Sequence, residues 1–102
     1  MKFYNPLYID FGIGKIQKRR ILRAFKKKKP ILGIYCLCAR EDSLYLLEIM
    51  TMEELFRGYY SLNNVLIFGF AKGKEEALMI AKNVVASWYL NKNSKEESKI
   101  RA

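Results

Sequence analysis

The sequence predicts an α+β fold: a small antiparallel or mixed three-stranded sheet with helices packed on it, in the order α-β-β-(short α)-β-α. Three observations predict this class. Two apolar, β-favouring runs, 31–40 and 43–50, are separated only by Glu41 and Asp42, which is hairpin spacing. A third such run, 64–71, precedes a stretch, 74–90, whose apolar residues recur at helical spacing. With 102 residues, 51% of them hydrophobic, one core can be built and a second cannot.

Residues 1–14 read as an extended N-terminal arm, made aromatic by Phe3, Tyr4, Tyr8 and Phe11, interrupted by Pro6 and punctuated by Gly12 and Gly14. Residues 15–29 consist of good helix formers and end at Pro30, whose predecessor avoids the α region. At about 100° per residue, Ile21, Ala24 and Phe25 share one narrow stripe with Leu22 at its edge. Lys28 falls on that stripe, so the last turn is expected to fray. Such a helix depends on docking for its stability.

The strands at 31–40 and 43–50 are apolar on both faces. In the second, Leu44, Leu46 and Met50 alternate with Tyr45, Leu47 and Ile49. A sheet with one wet face alternates apolar with polar residues, so both faces here require cover. Cover from within the chain is favoured over a partner chain, because Ile21 and Phe25 need a surface to bury against. Thr51-Met52-Glu53-Glu54 has the form of a capping box opening a short helix through Phe56, with Gly58 as its left-handed stop. Residues 59–63 read as loop. In 74–90, Ala77, Ala81, Val84, Val85 and Trp88 share a face flanked by Leu78, and Glu75 and Glu76 in the first turn suit the helix dipole. Residues 15–90 thus form the expected domain, and the polar, aperiodic stretch 91–102 is expected to be a disordered tail.

The chain has 19 Lys+Arg and 10 Asp+Glu, a net charge of +9. Residues 15–29 hold Lys15, Lys18, Arg19, Arg20, Arg23, Lys26, Lys27, Lys28 and Lys29, nine cations and no acid. Outside them 19 − 9 = 10 cations face 10 acids, so the whole net charge belongs to one segment. A field concentrated in this way attracts polyanions.

Catalysis finds little support. There is no histidine, which removes the commonest general base and the triads built on it. Asp10, Glu41, Asp42, Glu48, Glu53 and Glu54 read as carboxylates of caps, turns or an exposed strand position. Cys36 and Cys38, two apart on one strand, are expected to be buried and reduced; two thiols alone do not complete a zinc site. No enzyme activity, metal or cofactor is therefore expected.

Gly12-Ile13-Gly14-Lys15 resembles a fragment of a phosphate loop that nothing completes. Lys72, Gly73 and Lys74, leading from a strand into a helix N-terminus, form a candidate anion site, although a plain strand-to-helix turn explains them equally well. Gly69 to Ala77 was compared with the G-x-G-x-S-K-K-x-A-K signature of the double-stranded-RNA-binding domain. Only Gly69, Lys74 and Ala77 agree, and Ala71, Gly73, Glu75 and Leu78 depart from it, so the chain is not assigned to that family.

The expected function is a non-enzymatic binding protein in which Lys15, Lys18, Arg19, Arg20, Arg23, Lys26, Lys27 and Lys29 contact an anionic partner, RNA or DNA. Neutralising phosphates gives affinity with little sequence discrimination. Exposed tyrosines among Tyr35, Tyr45, Tyr59 and Tyr60 would add stacking. The alternative is a protein-interaction or homo-oligomerisation module, or one contacting an acidic protein, with the basic segment as a solvated face. Membrane-surface binding would need larger apolar anchors than Ile21, Leu22 and Phe25. The longest apolar run, 31–39, is too short to span a bilayer, and no signal peptide is visible, so a cytoplasmic location is expected.

Overall fold

A computed structural model describes residues 1–41, 43–58, 64–92 and 100–101. The elements run β1 (Lys2–Ile9), α1 (Lys15–Lys27), β2 (Tyr35–Arg40), β3 (Leu47–Thr51), α2 (Met52–Arg57), β4 (Val65–Ala71), α3 (Lys74–Lys92) and β5 (Ile100–Arg101). The class is α+β, as expected, but the sheet is not three-stranded. Four full strands lie in the order β1-β4-β2-β3, and the two-residue β5 adds to the edge at β3. The sheet is mixed: β2 is antiparallel to both β3 and β4, whereas β1 is parallel to β4.

The extra strand is the expected arm. Lys2 and Phe3 pair with Leu66 and Ile67, and Tyr8 and Ile9 with Gly69 and Phe70; the register breaks between the two pairs, around Pro6. Proline has no N–H to give the ladder and is tolerated only at an edge, where β1 lies. The Asn5–Pro6 peptide is cis.

The hairpin forms with shorter strands than expected. Gly33 at φ +82 turns the chain, so β2 begins at Tyr35 instead of residue 31. Ser43 N–H donates to the Arg40 carbonyl at 3.2 Å, which delays β3 to Leu47 and leaves Leu44, Tyr45 and Leu46 exposed. Of the expected turn residues, Glu41 is described as a turn and Asp42 lies outside the described residues.

Both faces of the sheet are covered from within the chain. On one, Ile21, Ala24 and Phe25 of α1 and Met52 and Leu55 of α2 bury against Cys36, Cys38, Val65, Ile67 and Phe70. On the other, Ala77, Ala81, Val84 and Val85 of α3 pack on Leu37, Leu47, Ile49, Phe68 and Ala71, and Trp88 meets Phe68 edge-on at 5.5 Å. One irregularity makes this division possible. Leu37 pairs with Gly69 but Cys38 pairs with Ile67, so Phe68 is an extra residue on β4. This bulge reverses the alternation, returning Phe70 to the α1 side while Phe68 faces α3.

The helix ends carry one confirmation and two corrections. Thr51 Oγ1 accepts from Glu54 N–H at 3.1 Å and Glu54 Oε1 accepts from Thr51 N–H at 3.0 Å, the reciprocal pair expected of a capping box. Gly58 is not a left-handed stop; it is extended, at φ −59 and ψ 154. The fraying expected at Lys28 gives way to an ordered cap: Lys28 is itself left-handed (φ 56), its N–H donates to the Phe25 carbonyl, and Lys29 N–H donates to Ala24. This is a Schellman arrangement with lysine where glycine is usual. The loop expected at 59–63 lies outside the described residues. So does most of the expected tail: Asn91 and Lys92 end α3, Ile100 and Arg101 form β5, and 93–99 and 102 are outside. No helix among the described residues is long and apolar enough to cross a membrane.

Candidate nucleic-acid interface

The basic residues are held on the surface by what α1 buries. Ile21 and Phe25 are 0% and 3% exposed. Phe25 alone meets three rings, Phe3 and Phe56 edge-on at 5.4 and 5.9 Å and Phe70 at 6.0 Å. Fully burying two such side chains contributes about 1.5–3 kcal/mol each. With that stripe turned inward, Lys15, Lys18, Arg19, Arg20, Arg23, Lys26, Lys27, Lys28 and Lys29 are all exposed. Among the described residues none of them forms an ion pair with a carboxylate.

This charge works against the helix that carries it. There is no acid in the first turn and no side-chain cap at Gly14, so Lys15 meets the positive end of the dipole unopposed. Lys15/Arg19, Arg19/Arg23 and Arg23/Lys27 are like-charged at i,i+4, where each pair costs about 0.2–0.5 kcal/mol. The helix holds because its other side is docked.

The second candidate, Lys72–Gly73–Lys74, lies at the mouth of α3. Its surroundings are already acidic. Asp10 accepts from Lys72 N–H at 3.2 Å through one carboxylate oxygen and from Gly12 N–H at 3.1 Å through the other. The Glu76 carboxylate folds back against Gly73. The chain's own carboxylates therefore occupy the place an anion would take. Beside this corner Phe11, Met79 and Ile80 line a small cleft whose rim also holds Asp10 and Glu76.

A third polar feature was misjudged from sequence. Glu48, expected at an exposed strand position, is 1% exposed, and both its oxygens accept from Arg40, from Nε at 2.5 Å and from Nη2 at 3.0 Å. Glu48 pairs across the hairpin with Cys38, two residues from Arg40, so a correct register would have placed all three on one face. The thiols are buried, as expected. Burial, then the neighbouring Cys38, pushes Cys36 well up. Burial first, and then the Glu48 charge, pushes Cys38 up to about 12, against a smaller opposing pull from Arg40. Neither is a thiolate near neutral pH. Among the described residues no group of three His, Cys, Asp or Glu is placed to hold a metal ion. Of the tyrosines, Tyr35 is half-buried and Tyr45 is exposed, while Tyr59 and Tyr60 lie outside the described residues.

Fold and surface together define a small α+β protein presenting one docked, acid-free basic helix. No protein-family model, curated protein or solved structure matches the chain.

Proposed function

We propose that this chain is a non-enzymatic nucleic-acid-binding protein that engages RNA or DNA phosphates through the exposed side of α1. One observation carries the reading: α1 concentrates the protein's entire net charge on a docked helix, at a cost to that helix, with no acid partner among the described residues. Solubility alone would be served by charges spread over the surface. The membrane-surface alternative is disfavoured because Ile21 and Phe25, its apolar anchors, are buried in the core. The protein-interaction alternative rested on a two-sided sheet, and α1, α2 and α3 cover both sides.

The test is a salt titration of the full chain against a mixed-sequence oligonucleotide. Log K is expected to fall linearly with log salt, at roughly −0.7 to −0.9 per phosphate contacted. Absence of binding at low salt by the folded protein removes the proposal.

A further inference from the structure

The exposed side of α1 has an internal order that a merely cationic surface does not need. At about 100° per residue, the continuous solvated arc of α1 runs through about 140°, and its members fall into three rows. Lys15 and Lys26 form one rim, Lys27 and Arg20 the other, and between them lie Arg19, Arg23 and Ile16. Ile16 is 78% exposed in the middle of this basic surface, where solubility gives it no role.

Resting on the nucleic-acid reading above, we propose that α1 lies in the major groove of B-form duplex DNA, its two cationic rims on opposite phosphate strands and Arg19, Arg23 and Ile16 facing the base edges. The dimensions agree. A helix with its side chains is about 10–12 Å across, and the B-form major groove is about 12 Å wide with a phosphate strand along each edge. Arg19 and Arg23 are one turn apart, about 6 Å along the axis, which is close to two base-pair steps. Arginine forks onto guanine O6 and N7, and an exposed aliphatic side chain suits the thymine methyl group. The major groove of A-form RNA is too deep and narrow for side chains to read. Single strands are gripped by stacking on aromatic rings, and α1 exposes none: Phe25 is buried. The exposed Phe11 stands on a cleft rimmed by Asp10 and Glu76, which repel phosphates.

Binding of the full chain to a 20-bp DNA duplex, an RNA duplex of the same sequence and the single DNA strand, in one low-salt buffer, tests this directly. The DNA duplex is expected to bind at least tenfold tighter than the others, and methylation of guanine N7 is expected to weaken it severalfold. Replacing Lys26 and Lys27 with Gln should flatten the salt slope by about 2 while leaving the sensitivity to N7 methylation. Replacing Arg19 and Arg23 with Gln should abolish that sensitivity. All four side chains are exposed, so the variants keep the fold, which circular dichroism verifies. RNA or single strands bound as tightly as duplex DNA, or indifference to N7 methylation, would overturn the groove placement and leave the nucleic-acid reading standing. Binding to none of the three probes would overturn both.

Discussion

Gly69 stands where two backbones come closest: a Cβ there would run into the carbonyl oxygen of Tyr8 on β1. Backbone cannot yield as a side-chain tip does, so Gly69→Ala is expected to destabilise by about 1–3 kcal/mol. Thermal unfolding of the variant checks this; an unchanged midpoint would mean that β1 is not held against β4 as described. A second residue-level prediction concerns the thiols. Because Cys36 and Cys38 are raised in the folded state, their contribution to stability is fully present below the unfolded value near 9 and is lost as pH climbs toward about 12. At pH 8 both are expected to react with a thiol reagent only as fast as the protein opens, and rapid labelling of native protein would contradict their burial. Neither the Gly69 contact nor the Arg40–Glu48 pair was legible in the sequence, because each depends on which strands lie side by side. The burial of the cysteines was legible, since an apolar strand with polar neighbours nowhere on its faces has few ways to be solvated.

At the scale of elements, α1 is a compromise between charge and docking. Its buried stripe of Ile21, Ala24 and Phe25 was readable from spacing alone, as was the α3 face from Ala77 to Trp88. The capping box at Thr51 was readable because four adjacent residues specify it. β1 was not: its partner β4 begins more than fifty residues later, and Pro6 breaks the local pattern. The composition of α1 leads to a prediction of opposite sign for the free protein and for its complex. Three like-charged i,i+4 pairs and a lysine at the N-terminus together cost about 1–2 kcal/mol at low ionic strength. Raising salt from about 20 mM to about 500 mM screens that repulsion, so the free protein's unfolding midpoint should rise by several degrees. Lys15→Glu should reproduce part of the gain at low salt. A midpoint that falls with salt would show that α1 is not under self-repulsion.

On the scale of the molecule, the chain is a sheet covered on both sides, with its whole net charge on one covering helix. The segment and its lack of acids were plain in the sequence. What the structure adds is that the segment is docked, leaving a rigid cationic arc, and that the Lys72–Lys74 corner is taken up by Asp10 and Glu76. The sheet could not be counted correctly without the parallel β1–β4 pairing and the bulge at Phe68, which are long-range features. The central claim is that α1 is the binding surface. Its most direct test compares the salt dependence of DNA binding by the full-length wild type with that of a variant in which Arg19, Arg20, Arg23, Lys26 and Lys27 are all Gln. The account predicts a steep negative slope for the wild type, flattened by up to about 4.5 in the variant, at about 0.9 per lost contact. Equal slopes for two equally folded proteins would contradict it.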